Sequence, residues 1–73
     1  MSEEELNIKI GARIAQIRRD NGLSQSDLAA IIDSEKQNVS RLERGLVNPG
    51  LYFLYKVSDA LQISLKDLLD FEN

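Results

Sequence analysis

Apolar residues recur at spacings of three and four along almost the whole chain, and no segment alternates between apolar and polar positions as a β-strand would. Turn-forming residues divide this pattern into five segments. The pattern therefore predicts an all-α fold, a compact bundle of five helices with short connections. The first helix is expected to end at Gly22, in the left-handed conformation. Its predicted inward stripe consists of Leu6, Ile10, Ile14 and Ile17.

Serine residues mark the starts of the second and fifth helices. Ser24 precedes Asp27 by three positions, and Ser64 precedes Asp67 by the same number. A serine with an acid three residues later is a variant of the capping box, in which each side chain bonds the backbone N–H of the other residue. The residues that the second helix should bury are Leu28, Ala29 and Ile32.

A third helix is predicted from roughly Lys36 to Arg44, because Gly45 follows it as a C-terminal signal. The second and third helices are each about two turns long and are joined by a short turn, which is the plan of a helix-turn-helix. A fourth helix follows the loop at 47–50. Its predicted inward stripe consists of Leu51, Leu54, Val57 and Leu61.

The outward face of the predicted third helix is polar and basic. At about 100° per residue, five side chains fall within an arc of about 140° that contains no apolar residue and no acid. Arginine, lysine and glutamine donate hydrogen bonds that suit phosphates and the edges of guanine and adenine. The arc is a candidate surface for nucleic acid, and a merely solvated face is the alternative. Its members are Lys36, Gln37, Ser40, Arg41 and Arg44.

Glu43 lies on the inward side of the same helix, beside Val39. An unpaired buried carboxylate is costly, so we expect Glu43 to form an ion pair with Arg18, one residue past Ile17 on the first helix. The alternative is a partly exposed Glu43 that pairs with Lys36 or with nothing.

Composition narrows the possible functions. The 73 residues carry a net charge of −3 and include no cysteine and no histidine. This excludes disulfides, zinc fingers and the commonest general base, so neither a metal nor a cofactor is expected. We expect a single domain over residues 1–73 with a short acidic tail at 1–5. No signal peptide or long apolar run is present, which favours a cytoplasmic protein that does not contact a membrane.

The net negative charge argues against nucleic-acid binding, but the charges are unevenly distributed. Acids crowd both ends of the chain, whereas most of the basic residues lie between them. Because charges more than about 10 Å apart are largely screened, a local basic face can still hold phosphates. The basic residues of the middle segment are Arg13, Arg18, Arg19, Lys36, Arg41 and Arg44.

Several stretches resemble the phage Cro and lambda-repressor type of helix-turn-helix family, also called the Xre family. Residues 23–29, Leu-Ser-Gln-Ser-Asp-Leu-Ala, are similar to the entry to that family's second helix. Residues 39–45, Val-Ser-Arg-Leu-Glu-Arg-Gly, are similar to the end of its recognition helix. Pro49, the stripe at 54–61 and the segment at 63–69 are similar to its last two helices.

The resemblance implies a five-helix fold and sequence-specific binding to a double-stranded DNA operator. It implies a transcriptional regulator, a repressor or controller-type protein, that usually acts as a homodimer. Together with Ser40 from the outward arc, the implied base-reading residues are Lys36, Gln37 and Arg41. The implied DNA-backbone residues are Ser24, Gln25, Asn38, Arg44 and Asn48. Arg18 and Glu43 match a structural ion pair, and Ala29 matches a small residue that lets the two motif helices approach closely.

The sequence departs from the family pattern at two helix starts. Asp33 stands where the family usually has glycine in the turn, and aspartate tolerates the left-handed region better than most residues. Glu35 takes the family's usual cap position, and one solution is that Ser34 caps the third helix a residue early, with Gln37 completing a Ser-x-x-Gln box. Gly50 replaces the usual serine before the fourth helix, so we expect Asn48 to cap that helix with a proline at its first position.

Every aromatic residue lies in the last third of the chain. Exposed apolar clusters tend to mark interfaces, so we expect a dimer contact on the fourth and fifth helices. The alternative is that the two phenylalanines cap the small core. The candidates for the dimer contact are Tyr52, Phe53, Leu69 and Phe71.

Two other functions compete with DNA binding. One is a protein-interaction module or antitoxin scaffold that retains this fold, which the acidic composition favours and the acid-free arc opposes. The other is an enzyme. The ionisable residues form no recognisable catalytic constellation, so catalysis is not expected.

Overall fold

The computed structural model describes residues 1–71, and five α-helices make up most of this range. They are α1 (Glu3–Asp20), α2 (Gln25–Ile31), α3 (Lys36–Glu43), α4 (Leu51–Ala60) and α5 (Leu65–Leu68). No strand occurs among the described residues. The predicted all-α fold of five helices is confirmed.

α1 begins at Glu3, earlier than predicted. The Ser2 hydroxyl accepts a hydrogen bond from the Glu5 N–H at 3.1 Å, and the Glu5 carboxylate accepts one from the Ser2 N–H at 3.1 Å. The prediction of an acidic tail at 1–5 is therefore wrong. The acidic residues form the first turn of α1, where the positive end of the helix dipole favours them. The Ser-x-x-Glu spacing is the sequence signal for this start.

Ser24 and Ser64 cap α2 and α5, as predicted. Each hydroxyl accepts a hydrogen bond from the backbone N–H three residues later, that of Asp27 at 2.9 Å and that of Asp67 at 3.0 Å. The box at α2 is reciprocal, because the Asp27 carboxylate accepts from the Ser24 N–H at 2.9 Å. The turn that follows α2 is made with Asp33 in the left-handed conformation, at a φ of 56°.

α3 begins at Lys36, as predicted, but its cap differs from the one expected. Glu35 occupies the N-cap without a side-chain cap hydrogen bond. Ser34 Oγ accepts from the side chain of Asn38 at 3.1 Å instead of capping the helix. Gln37 does not complete a box either, because its Nε2 donates to Glu35 Oε2 at 3.0 Å. The predicted Ser-x-x-Gln cap is therefore wrong, and α3 begins at Lys36 with its first N–H groups uncapped by side chains.

The prediction that Asn48 caps α4 is also wrong. Gly50 is the N-cap and has the extended backbone that a cap requires, with φ −72° and ψ 161°. Asn48 lies two residues too early and its Nδ2 donates to Glu3 Oε2 at 2.7 Å. This bond joins the loop before α4 to the first turn of α1.

Apolar side chains from all five helices form one core, and α1 supplies the central stripe. The members are Ile10, Ile14, Ile17, Leu28, Ala29, Ile32, Val39, Leu42, Leu54, Val57, Leu61 and Leu68. Leu6 and Leu51 were placed in the predicted stripes but are 40% and 69% exposed. They lie near the starts of their helices, beyond the stretch that the core covers. There they line an open apolar groove together with Leu69.

α1 and α3 approach each other most closely at Gly11. A Cβ at this position would lie 2.3 Å from Leu42 O and 2.7 Å from Glu43 O, which leaves room for glycine alone. Gly45 ends α3 with a φ of +74°, and a Cβ there would lie 2.7 Å from Ile8 Cα. α1 therefore holds the C-terminal end of α3 in place and leaves its outer face open.

Candidate nucleic-acid interface

The outward face of α3 is polar and accessible. Lys36, Gln37 and Arg41 are exposed and Ser40 is half-buried, whereas Val39 on the opposite side is fully buried. Within residues 1–71, no side chain bonds Lys36 or Arg41. The four residues predicted to read bases thus share one face, and two of its cations are available to a ligand.

An open groove of about 640 Å³ lies between this face and the start of α2. Its lining residues are Gln25, Glu35, Lys36, Gln37 and Ser40. Glu35 adds a carboxylate to the border of the arc, which the helical wheel did not include because Glu35 precedes the helix. Since Gln37 Nε2 donates to Glu35, this acid also orients the Gln37 amide. The groove therefore offers a cation, amides and a hydroxyl beside one acid.

The residues predicted to hold the DNA backbone lie around this groove and beyond it. Arg44 is exposed just after α3, where its Nε donates to Ser40 O at 3.3 Å. Asn38 is exposed on α3, and Asn48 is exposed in the loop before α4. The Ser24 hydroxyl is occupied as the cap of α2. The structure thus brings Asn38 and Arg44 to the outer side of α3 and leaves Asn48 on the next loop.

The Asp27 carboxylate supports the same end of α2. Its hydrogen bonds from the backbone N–H of Ser24, and then from the Ser24 hydroxyl, hold the pKa of this carboxyl below its ordinary value. The ionised form of Asp27 therefore stabilises the start of α2, beside Gln25.

Arg18 and Glu43 form a buried ion pair that joins α1 to α3. Arg18 Nε donates to Glu43 Oε2 at 2.6 Å and Arg18 Nη2 donates to Glu43 Oε1 at 3.0 Å. The two side chains are 10% and 5% exposed. Hydrogen bonding to Glu43 raises the pKa of Arg18, against the opposing effect of burial. Arg18 Nη1 also donates to Leu23 O at 2.8 Å, which anchors the turn before α2.

Gln25 joins this ion pair. Its Nε2 donates to Glu43 Oε1 at 2.9 Å, so one carboxylate oxygen accepts hydrogen bonds from α1 and from α2 at once. Sequence reasoning assigned Gln25 to DNA alone and did not predict this contact. The three side chains connect α1, α2 and α3 directly behind the groove.

Two of the basic residues do not contribute to an outward basic face: Arg18 because of its predicted pair with Glu43, and Arg13 contrary to the expectation from charge distribution. Arg13 Nη2 donates to Asp67 O at 2.9 Å and thereby ties α1 to α5, while Arg18 is paired with Glu43.

The close approach of α3 at Gly11 was not predicted from the sequence. A glycine inside a helix is destabilising unless something requires it, and that cost was the available signal for the close approach of α3.

The four dimer candidates fall into two groups. Tyr52 and Leu69 are 73% and 38% exposed. Phe53 and Phe71 are partly buried and pack against the core, as in the alternative in which phenylalanines cap it. The Tyr52 ring stacks on that of Tyr55, with ring centroids 6.3 Å apart. Tyr52 and Leu69 are therefore the better-placed candidates for a contact between subunits.

No group of three or more acidic, cysteine or histidine side chains in residues 1–71 is placed to hold a metal ion. In the same range, no helix combines the length and apolar character that spanning a bilayer needs.

Known proteins resemble the chain in sequence and in fold. The helix-turn-helix family model (HTH_3) matches residues 14–68. The HTH-type transcriptional regulator SinR of Bacillus subtilis (strain 168) is 45% identical over 62 residues, which are 84% of this chain and 56% of that protein. The chain therefore spans about half the length of the SinR proteins that it matches.

Two solved structures share the arrangement of helices. One is the restriction-modification controller protein C.AhdI from Aeromonas hydrophila, with a TM-score of 0.88, 31% identity and coverage of 93% of this chain and 99% of that one. The other is the master regulator for biofilm formation SinR in complex with DNA, with a TM-score of 0.77, 45% identity and coverage of 84% and 98%. With most of its length matched by the family model and its five helices superposing on these structures, the chain belongs to the Xre-like helix-turn-helix family.

Proposed function

We propose that this domain binds double-stranded DNA in a sequence-specific manner and acts as a transcriptional regulator, with α3 in the major groove. The observation that carries the proposal is the outward face of α3. Lys36 and Arg41 are exposed and unpaired within the described chain, and Gln37 and Ser40 lie between them. The major groove is about 12 Å wide and admits one α-helix.

The proposal divides the polar side chains into two roles. Lys36, Gln37, Ser40 and Arg41 read base edges, because arginine and lysine suit guanine and glutamine suits adenine. The remaining residues fix the position of the domain on phosphates, which carry no sequence information themselves. These backbone residues are Ser24, Gln25, Asn38, Arg44 and Asn48.

The likeness to regulators supports the same conclusion. SinR is a transcriptional regulator whose solved structure contains DNA, and C.AhdI is a controller protein of a restriction-modification system. We infer a repressor or controller role on an operator, performed where the genome of a bacterium or phage is transcribed, in the cytoplasm.

The active form in this proposal is a homodimer. One domain presents a single recognition helix, and two copies with recognition helices about 34 Å apart reach successive major grooves on one side of the duplex. Tyr52 lies on α4 and Leu69 just after α5, and both supply exposed apolar surface.

Selection from a pool of random duplexes tests the proposal. The purified protein is mixed with the pool, and bound duplexes are recovered and sequenced over several rounds. We expect enrichment of one site with two-fold symmetry. The matched control is the triple variant Lys36→Ala, Gln37→Ala, Arg41→Ala, which should enrich no site. A wild-type protein that also enriches nothing contradicts DNA recognition.

A further inference from the structure

The carboxylate of Glu43 is the meeting point of three helices. It lies on the last residue of α3 and receives three hydrogen bonds. Two come from the Arg18 guanidinium, at 2.6 and 3.0 Å, and one comes from Gln25 Nε2 at 2.9 Å. With 5% of its side chain exposed, Glu43 cannot reach a ligand itself. Any influence on binding must act through Arg18 or Gln25.

The bond from Gln25 decides which way its amide faces. A carboxylate accepts hydrogen bonds and repels another oxygen, so the amide nitrogen must lie next to Glu43 and the amide oxygen must lie away from it. One N–H of the amide is used by Glu43. The other N–H and the oxygen remain for the groove that Gln25 lines together with Lys36, Gln37 and Ser40.

We infer that Glu43 is a positioning residue for DNA binding: it holds the Gln25 amide in one orientation at the start of α2. This inference rests on the proposed function. A glutamine side chain on the surface loses rotamer freedom when it binds, and this cost lowers affinity. Because Glu43 has already fixed the side chain, Gln25 meets the DNA backbone without that loss. The bond also fixes the position of the start of α2 relative to the end of α3. The residues that contact phosphates and those that read bases are therefore held in one fixed arrangement.

The test separates positioning from stability. Removing one member of a buried ion pair strands the other charge, whereas replacing both by apolar residues is tolerated. The double variant Arg18→Met, Glu43→Met therefore keeps the fold but gives Gln25 no acceptor. Its matched partner is Arg18→Met, Glu43→Gln, which restores an amide oxygen at residue 43. Affinity for the selected site is measured for both at a temperature where circular dichroism shows each to be fully folded.

We expect the Met/Met variant to bind up to about tenfold more weakly than the Met/Gln variant, the fold-change that corresponds to ordering one flexible side chain on binding. Adding Gln25→Ala should cost about tenfold in the wild type and less than twofold in the Met/Met variant. Equal affinity of the two double variants, or an undiminished effect of Gln25→Ala, overturns the inference. If the wild type itself selects no site, it is the proposed function that fails.

A second measurement covers the case in which the Met/Met variant does not fold. The two side-chain N–H resonances of Gln25 are followed by NMR in the wild-type protein during titration with the selected duplex. We expect the N–H bonded to Glu43 to resonate away from its random-coil position in the free protein and to stay there on binding, while the other N–H resonance moves. Two resonances at the positions of a freely rotating amide overturn the inference, whatever the variants show.

Discussion

The contact between α1 and α3 depends on the absence of one methyl group. At Gly11 the backbone carbonyl oxygens of Leu42 and Glu43 lie where a Cβ would be, and backbone atoms cannot rotate away as a side chain can. The same two α3 residues carry the ion pair and part of the core. A change at Gly11 therefore displaces α3 itself.

Gly11→Ala should lower the free energy of unfolding by about 1–3 kcal/mol through overpacking, although alanine favours a helix over glycine by roughly 1 kcal/mol. Urea denaturation measures the change. Gly50→Ser is the control, because no heavy atom lies within 4 Å of a Cβ at that position and serine is as good an N-cap as glycine to within about 0.5 kcal/mol. A Gly11→Ala protein as stable as the wild type contradicts the close approach.

At the residue scale, the sequence predicted which side chains face inward and missed the contacts that depend on how the helices pack. Glu43 facing inward beside Val39 required a cation, and Arg18 was the one suitably placed. The participation of Gln25 depends on how α2 packs against the end of α3, which no helical wheel contains. Gly11 was missed because periodicity says which face of α1 is buried but not how closely a neighbour approaches it.

At the scale of the helices, capping differs among the five starts. Ser2, Ser24 and Ser64 cap α1, α2 and α5 with hydroxyl groups, whereas α3 and α4 begin without a side-chain cap. The sequence predicted the second and fifth helices well because their serine and acid stand at the required spacing. The predicted side-chain caps of α3 and α4 were wrong, because the Ser34 hydroxyl accepts from Asn38 and the Asn48 amide donates to Glu3.

The start of α4 can be improved by a serine. Gly50 has φ −72° and ψ 161°, close to the values of Ser24, φ −80° and ψ 168°. Gly50→Ser should therefore raise the free energy of unfolding by about 0.3 kcal/mol, and should exceed Gly50→Ala by about 1 kcal/mol, because its hydroxyl can accept from an N–H in the first turn. Urea denaturation checks this against Gly50→Ala, which lacks the hydroxyl. If serine and alanine are equivalent, the hydroxyl does not cap α4.

Because of the cap of α2, the free energy of unfolding should decrease at acid pH. The pKa of Asp27 in the folded protein lies below its ordinary value because the backbone N–H of Ser24 bonds the ionised carboxylate. Between the folded pKa and the unfolded value of about 3.9, the unfolded chain binds more protons. The contribution of the Asp27 carboxylate to the free energy of unfolding is thus fully present above about pH 5 and is lost as the pH falls through the folded pKa.

Asp27→Asn removes this titration while retaining the shape of the side chain. The wild type should be more stable than the variant at pH 6, and the difference should shrink as the pH falls towards 2.5. Urea denaturation at a series of pH values measures both proteins. A difference that stays constant or grows at low pH contradicts the stabilising role of the Asp27 carboxylate.

At the scale of the whole molecule, polar and apolar surfaces lie on different elements. The outward face of α3 carries the unpaired cations, while Leu51, Tyr52, Tyr55 and Leu69 expose apolar surface on or just after α4 and α5. The net charge of −3 does not describe this arrangement. Arg13 and Arg18 are bonded within the fold, so the cations available to DNA are fewer than the sequence suggests.

Self-association should depend on Tyr52, whose ring is the most exposed of the dimer candidates. We expect a dimer at micromolar concentrations by sedimentation equilibrium, and Tyr52→Ser should shift it towards the monomer. Phe71→Ser is less informative, because Phe71 packs against the core. Ile8→Ser, at an exposed apolar residue of α1, should leave the dimer unchanged. A wild-type protein that remains monomeric at every concentration, even on DNA, contradicts the assembly.

The most direct test of the central claim is the affinity of Arg41→Ala for the selected site and for a scrambled duplex, measured across a range of salt concentrations. If α3 reads bases, this variant loses about 1–3 kcal/mol on the selected site and much less on the scrambled one. The matched variant Arg44→Ala should weaken both duplexes alike and reduce the salt slope by about one unit, as expected for a phosphate contact. Undiminished affinity of both variants for the selected site would contradict the account of α3 as the recognition helix.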